Sequence, residues 1–305
     1  MGSLPEVPCA FFTLVNNGND VLAAKTLIRS LRYFGGAYGN ALLYVFVRED
    51  IPAYSSLQET NVKLITLALG EPLRSYPFAY KVYAAAKAAE LGSAFSNKII
   101  WLDPSAVVVK PPVLFDLSSN LAAVALRPVH VRNIGLRFDQ PIDDFWSRIY
   151  SEVNFNYNTL FQITSYVDMQ PIRPYFNCGA YAIDTENGIL QLWWKYFQQL
   201  VADASFQEGT CKDAQHRLFL HQSIFSALVC TLIPYEHICI LPPEYGYPLH
   251  FHDQLCLNNR HVHIDDVVCI LGYYEDIATN DKKRIFKNSS RSLREWLLKN
   301  VCCDP

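Results

Sequence analysis

Apolar residues in the N-terminal half of the chain form short runs that alternate with amphipathic segments. The runs predict buried β-strands at residues 9–15, 41–47, 62–67 and 99–102. Helical spacing of apolar residues, closed in each case by glycine, predicts helices at residues 21–34 and 80–91. Strands that alternate with helices form βαβ units. The sequence therefore predicts an α/β fold with a mostly parallel central sheet flanked by helices.

The C-terminal half is less regular. It predicts strands at residues 121–126, 174–184, 236–241 and 261–264, and a loop and a turn at residues 206–211 and 242–247. Further helices are predicted at residues 52–58, 185–203, 213–232 and 290–301. Residues 127–174 have no regular pattern, and an irregular segment of that length is typical of a loop that covers a site. Its aromatic residues serve either to stack on a ligand or to pack the loop down.

Composition narrows the class of protein. The 305 residues are 50% hydrophobic and 18% charged, which indicates a folded chain with a large core. The net charge of −3 comes without a basic cluster, so nucleic acid is not an expected partner, because neutralising phosphates requires concentrated Lys and Arg. The most apolar later run, residues 218–241, is interrupted by polar residues and proline, so no membrane span is expected.

Cysteine usage and the N-terminus predict the cellular compartment. The nine cysteines are odd in number, scattered and without a Cys-x-x-Cys pair, which indicates free thiols in a reducing environment. The first residues, MGSLPEVPCAFF, lack the positive and apolar regions of a signal peptide. We therefore expect a cytoplasmic protein.

The segment KIIWLDPSAVVVKPP, residues 98–112, is the first candidate for a functional site. Its apolar run ends abruptly at Asp103, and a carboxylate just past a buried parallel strand lies where open α/β sheets bind their ligands. An Asp before proline is also a common turn residue that bonds nearby backbone amides. Both interpretations of Asp103 stay open at the level of the local sequence.

Histidines at alternate positions are a second candidate. His250 and His252 stand two residues apart, as do His261 and His263, so each pair shares one face of a strand and can chelate a transition metal such as zinc. No third ligand is fixed by the spacing. A structural or solvent-facing role therefore remains open for both pairs.

Several segments occur in an order typical of one enzyme family. They are FFTLVNNGNDVLAAKTLIRSLR from residue 11, Lys81, the segment at residues 98–112, YFNCGAYAID from residue 175, HQSIFSAL from residue 221, LPPEYGY from residue 241 and HVHI from residue 261. Together they resemble the retaining glycogenin/galactosyltransferase group of GT-A glycosyltransferases over residues 9–275. The resemblance implies one GT-A domain at residues 1–275, with a C-terminal helical extension at residues 276–305 packed on it.

The resemblance also implies a reaction and roles for particular residues. A sugar would pass from a nucleotide-diphosphate donor, a UDP-sugar, to an acceptor that is a glycan, a protein or a small molecule, with retention at the anomeric carbon. The catalytic residues it implies are Asp103, His221 and Gln222. The donor-binding residues it implies are Thr13, Asn16, Lys81, Asp103, Ser105, Asn177 and Gly179. Asn177 and Gln222 can equally satisfy backbone groups as buried polar residues.

The metal site is where the chain departs from the family pattern. Asp103 and His263 match family ligands for Mn²⁺ or Mg²⁺, which neutralises the leaving diphosphate, but Ser105 stands where the second Asp of Asp-x-Asp is expected. His221 replaces another family Asp, and the basic segment expected after His263 is absent. A transferase with Mn²⁺ or Mg²⁺ and one with no metal both remain open. The alternative is a catalytically silent GT-A-like protein that binds a nucleotide or glycan, or acts as a scaffold.

Overall fold

Strands and helices alternate along most of the chain in the computed structural model, which describes residues 9–52, 54–92, 96–157, 160–261, 263–272 and 289–300. Within these ranges the strands are β1 Ala10–Val15, β2 Leu42–Arg48, β3 Val62–Leu67, β4 Lys98–Leu102, β5 Val107–Val108, β6 Val124–Pro128, β7 Ile163–Thr164, β8 Pro171–Ile172, β9 Phe176–Asp184, β10 Ile238–Ile240, β11 Tyr245–Pro248 and β12 Cys269–Leu271. The α-helices are α1 Gly18–Phe34, α2 Ala79–Gly92, α3 Leu117–Asn120, α4 Asp144–Glu152, α5 Ile189–Ala202, α6 Ala204–Glu208, α7 Ala214–Leu232 and α8 Arg291–Asn300.

The central sheet has seven strands among the described residues, in the order β10-β6-β9-β4-β1-β2-β3. β1, β2, β3 and β4 run parallel to one another, and β6 runs parallel to β10, whereas β9 is antiparallel to both β4 and β6. The predicted α/β fold with a mostly parallel sheet is therefore confirmed. From β1 the chain adds β2 and β3 on one side and then β4 on the other, so a topological switch point lies between β1 and β4.

Both faces of the sheet are buried, which explains the uninterrupted apolar runs of its strands. Phe12 and Trp101 pack in the layer that contains α2, α5 and α7. Phe11 and Ile100, one residue earlier on the same strands, pack in the opposite layer with α1. Adjacent strand residues thus face opposite layers, as the pleat requires.

A small sheet holds the segment that follows β4. Its strand order is β11-β12-β5, with β12 parallel to β11 and antiparallel to β5. The backbone N–H of Asp103 donates to the carbonyl of Gly179 on β9 at 2.7 Å, and the N–H of Ala106 donates to the carbonyl of Asp103 at 2.9 Å. The turn that carries Asp103 is therefore fixed between two sheets.

The prediction that residues 127–174 form an irregular segment was wrong for part of that segment. It contains the helix α4, which Asp143 caps by accepting a hydrogen bond from the N–H of Trp146 at 2.8 Å. Phe145, Trp146 and Ile149 are buried on one side of α4, with the i, i+3, i+4 spacing of an amphipathic helix. The short strands β7 and β8 lie in the same segment and pair with each other.

Three other predicted elements were also misplaced. The predicted turn at residues 242–247 contains most of β11, and the predicted strand at residues 261–264 leads instead into a 3₁₀ turn, Ile264–Asp266, before β12. The predicted strand at residues 121–126 begins only at Val124, because Leu121 adopts a left-handed φ of 51° after α3 and is 83% exposed. These short elements depend on tertiary pairing, which local patterns do not specify.

The helix α8 packs by its apolar face. Leu293 and Leu297 are buried, and the ring centroid of Trp296 lies 5.1 Å from that of Phe34 on α1. The predicted boundary at residue 275 lies outside the described residues, so the division into domain and extension stays a prediction. In the described part of the chain, no helix combines the length and the apolarity that are needed to cross a membrane.

Shortening Phe225 tests the packing of α7 on the sheet. Phe225 is fully buried, with its ring centroid 5.3 Å from that of Tyr181 on β9 and 4.8 Å from that of Trp193 on α5. We expect Phe225→Ala to lower the free energy of unfolding by about 3–5 kcal/mol in urea denaturation, because it leaves a cavity in the core. The control is Leu218→Ala on the same helix, where a 41% exposed side chain should change stability by less than about 0.5 kcal/mol. Equal stabilities for the two variants would contradict this packing.

Candidate functional site

A cavity of about 380 Å³ opens at the carboxyl ends of β1 and β4, at the switch point of the sheet. Its lining residues are Leu14, Asn16, Asn17, Asn19, Asp20, Ala23, Phe78, Lys81, Trp101, Asp103, Pro104 and Ser105. Open α/β sheets bind their ligands at this position. The cavity combines apolar walls with a few polar and charged groups, as ligand sites do.

An ion pair between Lys81 and Asp103 lies in this cavity. The Lys81 Nζ is 2.7 Å from Oδ1 and 2.8 Å from Oδ2 of Asp103, and the Trp101 Nε1–H donates to Oδ1 at 2.8 Å. Lys81 is only 6% exposed, whereas the side chain of Asp103 is 29% exposed. A buried ammonium group requires a charged partner, so the pair stabilises both residues and leaves one face of the carboxylate open to a ligand.

The local sequence explains how these three side chains meet. Trp101 and Asp103 are two residues apart, so they project to the same side of the chain at the end of β4. Lys81 lies in the first turn of α2, a helix whose buried face is formed largely by alanines such as Ala84, Ala85 and Ala88. Small side chains let α2 approach the sheet closely and bring Lys81 to the end of β4.

Two residues of β9 support Asp103 from the neighbouring strand. The Asn177 Oδ1 accepts a hydrogen bond from the N–H of Gly179 at 2.6 Å. A Cβ atom at Gly179 would lie 3.0 Å from that oxygen and 3.1 Å from Oδ2 of Asp103, which is tighter than most real Cβ contacts. A larger residue would therefore require Asn177 and Asp103 to shift by a few tenths of an ångström, so glycine lets β9 pass close to the carboxylate. Neither Asn177 nor Gly179 is among the residues that line the cavity.

The N-terminus of α1 forms another wall of the cavity. Asn17 and Asp20 make a capping box, in which the Asp20 carboxylate accepts hydrogen bonds from the N–H groups of Asn16 at 2.8 Å and Asn17 at 3.2 Å. Burial raises the pKa of Asp20, the two backbone hydrogen bonds oppose that rise, and the charge of Asp103 adds to it. The helix N-terminus favours anions, whereas the Asp20 carboxylate opposes them.

His221 lies behind the cavity wall. Its ring stacks on that of Phe78 with centroids 4.1 Å apart, and its Nδ1 donates to the carbonyl of Leu218 at 3.0 Å. Burial lowers the pKa of His221 well below its usual range, and the positive charge of Lys81 lowers it further. His221 is therefore a neutral, buried ring. Gln222, which follows it, is 6% exposed and lies beside Tyr175.

The structure brings together part of the residue set that the resemblance implies. Asn16, Lys81, Asp103 and Ser105 line one cavity. Thr13 is fully buried on the face of β1 that packs towards α1, and His263 is exposed before the 3₁₀ turn at Ile264. Those two residues are not among the lining residues, and their predicted roles stay predictions.

Eight lining residues were absent from the set predicted from sequence, and three of them, Asp20, Phe78 and Trp101, have charged or aromatic side chains. The sequence indicates the position of Trp101, because a side chain two residues before Asp103 on a strand projects to the same side as Asp103. Asp20 completes the capping box of α1 and also lines the cavity, and the local sequence does not indicate the second position. Phe78 had no signal, because its place in the cavity depends on a backbone φ of 59° and on contact with α7.

The residues present do not fit a resident Mn²⁺ or Mg²⁺ ion. Both oxygens of Asp103 already accept hydrogen bonds from Lys81, and Ser105 offers a neutral hydroxyl where a carboxylate is expected. His263 lies outside the cavity lining. Among the described residues, no three His, Cys, Asp or Glu side chains form a group that could hold a metal ion. Hard divalent cations prefer carboxylate oxygens among their ligands, and the two carboxylates that line the cavity, Asp20 and Asp103, already accept hydrogen bonds within the protein.

Comparison with solved structures identifies the fold. An active-site mutant of LgtC matches with a TM-score of 0.50 and 11% identity over 97% of each chain. Apo mouse xyloside xylosyltransferase 1 matches with a TM-score of 0.43 and 13% identity, over 80% of this chain and 88% of that chain. GlyE of Streptococcus pneumoniae TIGR4 matches with a TM-score of 0.48 and 15% identity, over 97% of this chain and 60% of GlyE. The LgtC match identifies the architecture as the GT-A glycosyltransferase fold, as the sequence predicted.

Comparison of sequences identifies the family. Residues 11–229 match the model of the Rhodobacterales glycosyltransferase domain, which covers more than half of the 305 residues. The chain therefore belongs to this family of glycosyltransferases. A search of curated proteins found no match.

Burial of His221 makes stability depend on pH. Below its ordinary pKa of about 6.5 the unfolded chain binds a proton at His221 that the folded chain does not bind, so stability falls as the pH falls. We expect the free energy of unfolding to decrease from about pH 7.5 to about pH 5.5, by up to about 1.4 kcal/mol per pH unit for such a histidine. Urea denaturation should show a shallower pH dependence for His221→Gln.

A matched substitution isolates the effect of burial. His237 is exposed, so His237→Gln should keep the pH dependence of the wild-type protein. His130, whose pKa is lowered by burial and by Arg127, contributes in the same direction in every variant. An unchanged slope in His221→Gln would show that folding does not lower the pKa of this histidine.

Proposed function

We propose that the protein transfers a sugar from a nucleotide-diphosphate donor to an acceptor hydroxyl group, with the donor bound in the cavity between β1 and β4. The observation that carries this proposal is the cluster of Lys81, Asp103 and Trp101 in that cavity. Membership of a glycosyltransferase family supports sugar transfer. The resemblance to the glycogenin/galactosyltransferase group supports a UDP-sugar and retention at the anomeric carbon.

Negative charge develops on the diphosphate leaving group during the reaction. The bond between the anomeric carbon and the diphosphate oxygen breaks, and its electron pair stays with the diphosphate. The acceptor oxygen forms the new bond to the anomeric carbon, and its proton passes to the departing diphosphate. Stabilising the charge that develops on the leaving group lowers the barrier, which fixed positive groups can do.

Lys81 and the N-terminus of α1 supply positive potential in the cavity. In the proposed complex the Lys81 ammonium group is shared between Asp103 and the diphosphate. Asp103 keeps Lys81 in position, and the open face of its carboxylate accepts hydrogen bonds from hydroxyl groups of the donor. Trp101 holds the carboxylate in this orientation through its Nε1–H.

We further propose that no divalent cation resides in the protein before the donor binds. The carboxylates that line the cavity, Asp20 and Asp103, are both hydrogen-bonded within the protein. A Mn²⁺ or Mg²⁺ ion that takes part would then arrive with the diphosphate, as part of the substrate. Phosphate oxygens would supply the ligands that the protein lacks.

The substitution Lys81→Met tests the donor site, because it removes the charge and keeps a long side chain. Losing a hydrogen bond to a charged group should weaken nucleotide binding by about tenfold or more. Calorimetric titration with UDP, GDP and their common sugars, each with and without Mn²⁺, measures this loss. Asp103→Asn should also abolish turnover of the donor, because the amide no longer pairs with the Lys81 ammonium group.

The matched control lies on the same helix. Lys87 on α2 pairs with Glu90 at 2.7 Å and is 36% exposed, so Lys87→Met should bind nucleotides as the wild-type protein does. Urea denaturation of each variant separates lost binding from lost folding. Wild-type affinity in a folded Lys81→Met variant would place the donor elsewhere. A wild-type protein that binds no nucleotide would favour the silent scaffold instead.

Titration of Mn²⁺ alone tests whether a metal ion resides in the protein. Without nucleotide we expect no saturable binding at concentrations below about 1 mM, because the described residues supply no group of three ligands. Calorimetry or manganese electron paramagnetic resonance measures this directly. Stoichiometric micromolar binding that disappears in Asp103→Asn would establish a resident metal ion and overturn this part of the proposal.

A further inference from the structure

A second cavity of about 390 Å³ adjoins the donor cavity at the carboxyl end of β2. Its lining includes Arg48 at the end of β2, Arg74 and Tyr76 from the segment that leads into α2, and Tyr80 in the first turn of α2. Asn16 and Phe78 line both cavities. A ligand in the second cavity would therefore lie directly beside a ligand in the first.

We propose that this second cavity is the acceptor subsite and that the acceptor is a saccharide. The proposal rests on the proposed function, because it assumes that the first cavity binds the donor. Glycosyl transfer requires the two substrates to lie side by side with their reacting atoms close together. Two cavities that share the side chains of Asn16 and Phe78 satisfy that requirement.

Phe78 supplies an apolar face on the shared wall. Its φ of 59° is rare for a bulky residue, and such strain persists only where the surrounding structure imposes it. The ring is 42% exposed and stacks on the buried His221, which fixes its orientation. An exposed aromatic ring held in this way offers a flat surface on which the C–H face of a sugar can pack.

The charged groups of the second cavity are already paired. The Arg48 guanidinium donates to both oxygens of Asp50, at 3.1 and 2.7 Å. Arg74 lies 3.4 Å from Asp50 and 3.8 Å from Glu49. Both arginines thus have carboxylate partners, as Lys81 does in the first cavity, so charge alone does not decide which ligand each cavity binds. Each arginine–carboxylate pair places hydrogen-bond donors next to acceptors. This arrangement suits the hydroxyl groups of a sugar, because a hydroxyl group both donates and accepts.

The aromatic and hydroxyl groups of this cavity are also held in place before a ligand binds. The Tyr80 hydroxyl contacts both oxygens of Glu49, at 3.0 and 2.8 Å. The Tyr76 hydroxyl donates to Gln207 at 3.0 Å, and the Ser75 hydroxyl donates to Glu71 at 2.8 Å. A subsite ordered in advance lowers the entropy cost of binding a flexible saccharide.

Exposure favours this cavity over His221 and Gln222, which the family resemblance implies as catalytic residues. His221 and Gln222 are 3% and 6% exposed, so neither can contact an acceptor in this conformation. The side chain of Arg74 is 42% exposed and that of Arg48 is 22% exposed. The acceptor would then approach from the end of β2, and His221 would act through the position of Phe78.

Saturation-transfer NMR on the full chain tests the proposal, with maltose, cellobiose and lactose as probes and uridine for comparison. We expect at least one disaccharide to receive saturation from the wild-type protein. Its apparent affinity should fall by about tenfold in Arg74→Gln, which removes a charged donor. It should also fall in Phe78→Gly, which removes the ring at a φ that glycine adopts freely.

The control is Arg291→Gln on α8, because Arg291 is 92% exposed and also pairs with a carboxylate, that of Glu295. The assignment is overturned if no disaccharide binds the wild-type protein, or if Arg74→Gln binds them with unchanged affinity. Uridine binding that is lost in Arg74→Gln would overturn it as well, by making the second cavity a nucleoside site. Calorimetry with UDP on the same preparations separates the hypotheses, because failure to bind any nucleotide contradicts the donor site itself.

Discussion

The ion pair between Lys81 and Asp103 is the interaction on which the site depends. It joins the first turn of α2 to the end of β4, and so connects the helical layer to the central sheet at the switch point. Breaking such a pair from one side leaves a buried charge without a partner, which is strongly destabilising. The neighbouring structure is arranged around the pair, because Trp101 orients the carboxylate and Gly179 leaves room for it.

The ends of three parallel strands account for the two cavities. β1 and β4 end at the switch point and border the first cavity, whereas β2 ends beside β1 and borders the second cavity. The parallel direction of these strands places their carboxyl ends at one edge of the sheet. Phe78 lies on the wall between the cavities and connects that edge to α7 through His221. The same wall can therefore affect both substrates of a transfer reaction.

Sequence patterns predict the buried strands and long helices well, and they predict tertiary contacts poorly. Strands β1, β2 and β4 require apolar residues on both faces, which leaves a clear signal, and the position of Asp103 after β4 follows from it. The antiparallel direction of β9 and the short strands β11 and β12 depend on pairing partners far away in the sequence. Lys81 was found through family resemblance, whereas the conformation of Phe78 and the burial of His221 follow from packing that no local pattern records.

The position of β9 also dictates an order of assembly. β1, β2, β3 and β4 pair among themselves, so this half of the sheet can form as soon as residue 102 has been synthesised. β6 is not paired with β4 and joins the sheet only through β9, which comes about 50 residues after it in the chain. β9 must therefore be synthesised before the N–H of Asp103 can donate its hydrogen bond to the carbonyl of Gly179. The parallel half of the sheet therefore precedes, along the chain, the strand that completes the turn at Asp103.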